Sequence, residues 1–549
     1  MIRSFIKRKI QYKKELKVIR RFHLLSEAER ERQKERVWVN PPLISLITPL
    51  YNTPKAFLEE LLQSVQNQTY IFWELCLADG SDDTHKYVGE ICRRYAEQDS
   101  RIIYRKLDKN EGIVGNTNQC LTMARGDYIG LVDHDDLLSP SALYEVASAA
   151  QNGADFIYTD EMKFQDSIEN SVDIVCKNGF GKDELRSHNY ICHLTVFKKS
   201  LLDDLDELYR IECEGSQDYD MVLRLTEKAG KIVHIPKILY YWRVHQGSVA
   251  LDLSVKHYAV EAAKRAIAGQ LVRSSEQGKV NCNLPYETIY RIKYELKERP
   301  LISILVSGDL NKDQAVKYIQ ELIDRTDYRP LELIIDKKEL GVEDDEICIS
   351  TLSRECGKYE WFNCAAELCH GQYYICLSEN CLPRNRKWIE ELLMFAQRRD
   401  VGVVGAYIKY KDNRIYFAGA VLDKDANSGI YPVNFNRVDS DQGYEANMKY
   451  VRNTTIFTSI CMMISKEKFI ELDGFDVLMD SCADADLCLR SRRQGWCNVW
   501  TCFADMFYNK KDPITKQWKK NEKFTTRWKD EIEQGDGNYH PLLKRLRKL

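Results

Sequence analysis

The chain has 549 residues, 44% of them hydrophobic and 30% charged, with 80 Lys and Arg against 83 Asp and Glu. That is the composition of a globular protein. The net charge of −3 gives no basic character of the kind that binds nucleic acid, and 31 Tyr, 18 Phe and 9 Trp exclude a disordered chain. No apolar run approaches the ~20 residues of a membrane-spanning helix.

Basic residues dominate from Arg3 to Arg21, where Glu15 is the one acid, and Ile2, Phe5, Ile6, Ile10, Leu16 and Ile19 recur at near-helical spacing. The spacing predicts a basic amphipathic helix within residues 1–40. It either packs on the body of the protein or lies against anionic lipid. Residues 26–36 carry mixed charge and read as a helical linker. No apolar signal-peptide core opens the chain, and the 18 cysteines mostly sit inside apolar runs with no close CxxC pair. Buried thiols in a reducing cytoplasm are expected, with peripheral contact at the inner face of the plasma membrane through the basic ends.

Short β-branched runs at 44–48, 75–78 and 129–132 alternate with helical patterns at 57–68 and 84–98. Strand–helix alternation predicts parallel strands with crossover helices, an open α/β sheet that binds ligands at the carboxyl ends of its strands. Polar residues stand at those ends. The first strand runs into Pro49, Tyr51 and Asn52. The second ends in "ADGSDD", with Asp79 at its tip, placed either to accept a hydrogen bond from a nucleobase or ribose or to serve a tight turn. "NEGIVGNTNQC" follows, with Gly112 and Gly115 ahead of a predicted helix, as close backbone approach to a ligand requires.

"DYIGLVDHDD" is the strongest local pattern, because one strand delivers Asp133, Asp135 and Asp136 in succession, with His134 between them. Clustered carboxylates repel unless a cation compensates them, and Mg²⁺ or Mn²⁺ prefers oxygen ligands; an exposed acidic turn is the alternative. "EGSQDYD" supplies Asp218 and Asp220 ahead of a helical pattern. There one carboxylate can deprotonate an acceptor hydroxyl and the other can cap the helix. "YYWRVHQGS" then adds His245 and Ser248.

The two halves of the chain repeat these segments in order. "PLISLITPLYN" at 42–52 resembles "PLISILVSGDL" at 300–310, and "WELCLADGS" at 73–81 resembles "LELIIDKKE" at 331–339. "RGDYIGLVDHDDLLSP" at 125–140 resembles "HGQYYICLSENCLP" at 370–383, and "SQDYDMVLR" at 216–224 resembles "CADADLCLR" at 482–490. The fold class expected is α/β in two tandem domains. These are a basic helical extension at 1–40, a first domain at 41–270, a linker at 271–299, a second domain at 300–515 and a basic helical tail at 516–549.

Taken together, the segments at 42–250 resemble a bacterial family 2 glycosyltransferase of the inverting GT-A type, here with tandem Rossmann-like modules. The resemblance rests on Pro49-Leu-Tyr-Asn52, Ala78-Asp-Gly-Ser-Asp-Asp83, the Asn110-x-Gly segment, Asp133-His-Asp-Asp136, Gln217-Asp-Tyr-Asp220 and Trp242-Arg-x-His245. "YTDE" at 158–161 and "SHNYICH" at 187–193 are similar to the subgroup that assembles bacterial surface polysaccharide. The resemblance implies a nucleotide-sugar donor, UDP- or dTDP-linked, a glycan or lipid-linked acceptor, and Mn²⁺ or Mg²⁺ as cofactor. It implies nucleotide-sugar contacts from Pro49, Tyr51, Asn52, Asp79, Asn110, Gly112, Asn116, Asp133 and His134. Asp135, Asp133 and His245 would hold the metal, and Asp218 would be the base. Tyr158, Asp160, Glu161, His188, Asn189, Gln217 and Trp242 would lie towards the donor sugar or acceptor.

The second half departs from this pattern. Asp133 and Asp135 correspond to Ser378 and Asn380, Glu379 replaces His134, and His245 falls near Lys511. Asp484 and Asp486 match Asp218 and Asp220, and Asp336 is the candidate match for Asp79. The second module is then a degenerate transferase that binds glycan or completes the fold, or an active one in which Glu379 or lysines replace the metal arrangement. A nucleotidyltransferase is the competing enzyme class, although a Gly-rich basic triphosphate loop near the first strand is missing. A glycan-binding scaffold is the non-enzymatic alternative.

Overall fold

The first strand of the sheet, β1 (Ile44–Leu50), is buried at every position, as its near-continuous apolar run requires of a strand covered on both faces. Pro54 then starts α2 (Lys55–Gln66), two residues earlier than the periodicity suggests, since a proline fits where no amide donor is needed. Leu58, Leu61, Leu62 and Val65 form its buried stripe, each contributing about 1.5–3 kcal/mol by leaving water. The computed structural model describes residues 23–245 and 257–543 except 354 and 441. The expected basic helix at 3–21, Ser248 and the last six residues of the tail lie outside them. Within them, α1 (Glu27–Lys34) realises the mixed-charge linker, capped by Ser26.

The chain then runs through β2 (Trp73–Asp79), α3 (Tyr87–Gln98), β3 (Ile102–Lys106), α4 (Gly112–Leu121) and β4 (Tyr128–Leu131). Next come β5 (Leu137–Leu138), α5 (Ala142–Gln151), β6 (Phe156–Phe164), β7 (Ser171–Val175), α6 (Lys182–Ser187), β8 (Thr195–Lys198), α7 (Gln217–Lys228), β9 (Ile232–Arg243) and α8 (His257–Arg273). The strand order is β3-β2-β1-β4-β8-β6-β9-β5, with β7 beside β6. β1, β2, β3 and β4 are parallel, as expected. The sheet is nevertheless mixed, because β8 runs antiparallel between β4 and β6.

The second half follows with β10 (Gly278–Asn283), β11 (Tyr286–Tyr294), β12 (Ile302–Ser307), α9 (Lys312–Asp324), β13 (Leu331–Ile335), β14 (Ile347–Thr351), α10 (Lys358–Leu368) and β15 (Tyr373–Ser378). It continues with β16 (Cys381–Pro383), α11 (Trp388–Ala396), β17 (Val401–Tyr410), β18 (Ile415–Phe417), β19 (Ala420–Leu422), β20 (Ile430–Pro432) and β21 (Arg452–Asn453). Last are β22 (Cys461–Ser465), α12 (Lys466–Glu471), α13 (Ala483–Arg493), β23 (Cys497–Tyr508), α14 (Glu522–Arg527) and α15 (Lys529–Gln534). Its large sheet has the order β14-β13-β12-β15-β22-β17-β23-β16. Strand for strand this is the connectivity of the first sheet, so the repeat seen in sequence is a repeat of topology.

Two compact units result. The first takes residues up to Phe180, Asn189–Ser275 and the chain from His540 onward; the second takes Gly181–His188 and Glu276–Tyr539. These bounds differ from the sequence expectation in three places. Residues 276–299 are no free linker, because β10 and β11 pair as a hairpin of the second unit. The helices of the tail belong to that unit too, whereas His540 belongs to the first. Segment 181–188 interrupts the first unit and is held in the second by Asp183, which pairs with Arg398 and accepts a 2.9 Å bond from Asn453 Nδ2.

Cys76, Cys92, Cys120, Cys376 and Cys488 are buried, as their apolar settings suggest, but Cys348 and Cys364 are exposed. No helix among the described residues is long and apolar enough to cross a membrane.

Candidate active site

The carboxyl ends of β1, β2 and β4, with the start of α7, carry many of the residues singled out by sequence. After β1, Asn52 adopts a positive φ of 50°; its amide donates to Ser81 Oγ (2.9 Å) and its side chain to Asp82 Oδ2 (2.8 Å). This ties the loop after β1 to the loop after β2. Pro49 lies within β1, and Tyr51 is 47% exposed beside it. Asp79 closes β2 almost fully buried, accepting from Ser81 N and Tyr104 Oη (2.8 Å each), with Lys106 Nζ at 3.5 Å. Its turn is as tight as "ADGS" suggests: a Cβ on Gly80 would meet Asn116 Nδ2 at 2.8 Å.

Asn110 and Asn116 brace the next loop, Asn116 Nδ2 donating to Asn110 Oδ1 (2.8 Å). α4 begins at Gly112, which has a φ of +71°, so Gly115 lies within the helix rather than ahead of it.

Beyond β4 the acidic cluster divides into three separate roles. Asp136 is wholly buried, accepting from Tyr240 Oη (2.6 Å) and from the Arg243 amide (2.7 Å). Burial and the neighbouring Asp133 and Asp135 push its pKa well above the usual carboxylate range. Asp135 is partly exposed and stands 2.9 Å from His245 Nε2. Asp133 is half exposed, with His193 Nε2 at 3.3 Å. His134 turns to Thr53 Oγ1 at 3.0 Å.

Asp218 lies in the first turn of α7, two residues after the N-cap Ser216, and accepts from Asn189 Nδ2 (2.9 Å). Burial raises its pKa above the ordinary 3.8. Asp220 is fully buried between Arg224, at 2.8 Å, and Arg210, at 2.5 Å. It is a packing carboxylate, whereas Asp218 is partly exposed. Gln217 Oε1 accepts from the Gly215 amide at 2.8 Å. Trp242 is partly buried and stands 5.2 Å from the His193 ring.

Three residues expected towards the sugar are buried: Tyr158 and Asp160 have no exposed surface and Glu161 only 3%. Tyr158 Oη donates to Asn178 O at 2.6 Å. Glu161 pairs with Lys177 Nζ at 2.9 Å. His188 lies in the second unit, its ring centroid 4.5 Å from that of Tyr450.

Sequence reasoning passed over His193, Cys192 and Lys177. The His193 ring stacks on Tyr240 at 4.7 Å and faces both Asp133 and Glu161. Burial favours the neutral ring, but the Cys192 sulfur and these carboxylates outweigh it and raise its pKa. Cys192 Sγ lies 3.8 Å from His193 Nε2 and 4.0 Å from Asp218 Oδ2. The one signal was that "YICH" puts a histidine two residues before a strand.

Among the described residues, three groups of side chains bring ligand-type atoms within 4.8 Å of one another: Asp133, Asp136 and His193; Glu161, Cys192 and His193; and Asp160, His234 and His540. Asp136 is already committed to Tyr240 and Arg243. By donor chemistry and access, the partly exposed oxygen and nitrogen of Asp135 and His245 suit a divalent cation better.

In the second unit the same positions are closed. Continuing the strand registers, in which Ile44 faces Trp73 and Ile302 faces Leu331, Asp79 corresponds to Lys337 and not to Asp336. Lys337 Nζ lies 3.1 Å from Glu379 Oε2, and Glu379 also accepts from the Leu310 amide. Glu379 is 3% exposed, so this ion pair is internal. Asp484 is fully buried and saturated by Ser459 N (3.0 Å), Gln517 Nε2 (2.9 Å) and Trp518 Nε1 (2.9 Å). Asp486 pairs with Arg490 at 2.7 Å, as Asp220 does with Arg224.

Residues 45–205 match the model of the family described as Glycosyl transferase family 2. Over this segment the chain resembles glycosyltransferase family 2. It is 33% identical over 492 residues to the uncharacterized protein y4gI of Sinorhizobium fredii, covering 86% of this chain and 53% of that one. It is 30% identical over 469 residues to the O-antigen biosynthesis protein RfbC of Myxococcus xanthus, covering 83% of this chain and 36% of that one. The chain thus spans about half the length, or less, of these relatives. S. aureus TarS 1-349 in complex with UDP-GlcNAc is similar over 42% of this chain and 66% of that one, at 19% identity and a TM-score of 0.35.

Proposed function

We propose that the first unit is an inverting glycosyltransferase that moves a sugar from a UDP- or dTDP-linked donor to a growing surface polysaccharide or lipid-linked glycan. The observation that carries this reading is the convergence of Asp135 and His245 at the carboxyl end of the sheet, with Asp218 partly exposed in the same unit. Asp79, at the tip of β2, would receive the base of the nucleotide, and Asp133 its ribose. Asp135 and His245 would hold Mn²⁺ or Mg²⁺, which when bound supplies charge stabilisation to the departing diphosphate. Asp218 takes the proton of the acceptor hydroxyl as that oxygen attacks the anomeric carbon. Asn189 fixes one of its oxygens, and burial keeps it basic enough to accept. A single displacement inverts the anomeric centre.

The second unit, in this reading, is a transferase fold without a reaction of its own. The Lys337–Glu379 pair and the saturated Asp484 favour that over two active modules. A panel of nucleotide sugars, incubated with and without Mn²⁺ and with polysaccharide or lipid-linked acceptors, tests the proposal. Metal-dependent donor turnover is expected; none in any combination would leave the glycan-binding scaffold in its place.

A further inference from the structure

Asp160 sits at the centre of a buried triad that the reaction itself does not use. Its Oδ1 accepts from His234 Nε2 and from the Lys177 amide, both at 2.9 Å, while Oδ2 lies 2.7 Å from His540 Nε2. His540 is 1% exposed. The Leu542 amide donates to its Nδ1 at 3.1 Å, so Nε2 carries the proton and donates to Asp160. That tautomer opposes a metal at this cluster, since a cation on Nε2 needs the ring's proton moved to a nitrogen already facing an N–H.

The triad reaches the site through Lys177. Asp160 holds its backbone, and its ammonium donates to Glu161 Oε2 (2.9 Å), to Ile191 O (2.5 Å) and to His193 O. The backbone so gripped carries Cys192 and His193, which face Asp218 and Asp133. From these contacts we infer that His540 is a positioning residue of the first unit's transferase site. The far end of the chain thereby completes a site whose other residues all precede residue 246. The inference rests on the transferase reading above.

The test compares His540→Gly and His540→Gln with wild-type full-length protein, measuring kcat, donor KM and nucleotide affinity, with and without millimolar imidazole. In His540→Gly, kcat should fall by about 10²-fold, the order of loss a small misplacement of reacting groups produces, with donor KM and nucleotide affinity kept. Imidazole, which fits the space vacated, should restore turnover, and Gln, whose amide can still donate to Asp160, should retain most of it. Unchanged kcat in His540→Gly overturns the inference. So does a joint loss of turnover and nucleotide binding that neither imidazole nor Gln reverses, which would mark His540 as structural only. Wild-type protein without transfer under any condition overturns instead the transferase reading, and this inference with it.

Discussion

Asp135 and His245 approach to 2.9 Å across 110 residues of sequence because β5 pairs with β9, bringing the acidic loop beside the end of that strand. Two partly exposed donor atoms at that spacing can share one cation. Asp135→Ala and His245→Ala should each weaken Mn²⁺-dependent binding of nucleotide by more than the roughly 10–100-fold that loss of a supporting partner costs. Metal-free binding should change little. Calorimetric titration with and without Mn²⁺ reads both.

Asp218→Asn should lower kcat by about 10²–10⁴-fold with little change in nucleotide affinity, as removal of a general base does. The pH profile gives a second readout. A base works deprotonated, and burial raises this carboxyl above 3.8, so the rate should fall with acid at a higher pH than an ordinary aspartate gives. The limb should vanish from the residual rate of the Asn variant. An equal loss of donor binding and turnover would argue against this role.

Asp220→Ala leaves Arg224 and Arg210 facing a gap, and stranding buried charge costs about 3–5 kcal/mol. Asp486→Ala should cost the same in the second unit, where Arg490, Arg527 and the Trp528 indole lose their partner. For Asp220, burial raises the pKa but the two arginines outweigh it and hold it low. Its contribution is therefore full above the ordinary aspartate pKa and lost as pH falls through the lower folded value. Denaturant titrations at neutral and acid pH should show the gap between wild type and variant narrowing with acid.

If the second unit has no reaction of its own, Glu379→Ala should leave donor turnover within about twofold of wild type, since its carboxylate is held by Lys337 and the Leu310 amide. Nucleotide should bind with one site per chain. Two sites by calorimetry would restore the case for two active modules.

The sequence revealed the repeat, the strand–helix alternation and the residues at the strand tips, because those patterns are local and periodic. It could not divide Asp133, Asp135 and Asp136 among their roles, since that depends on which strand lies opposite, and β9 lies more than a hundred residues downstream. It also placed Asp160 and Glu161 towards the sugar, whereas β6 buries both side chains. Segment 181–188, which chain order puts in the first domain, packs in the second unit, and His540, which it puts in the tail, packs in the first, for the same reason. Chain order says nothing of a segment that packs away from its neighbours. Lys337 was overlooked because Asp336 offered the matching residue type, although the register favours the lysine.

Asp136 has a thermodynamic consequence for ligand recognition. Fixed at both oxygens by Tyr240 and the Arg243 amide, it locks the turn that presents Asp133 and Asp135. The conformational entropy of that turn is surrendered when the chain folds, so an incoming ligand meets an ordered pair of carboxylates and keeps more of its interaction energy as affinity.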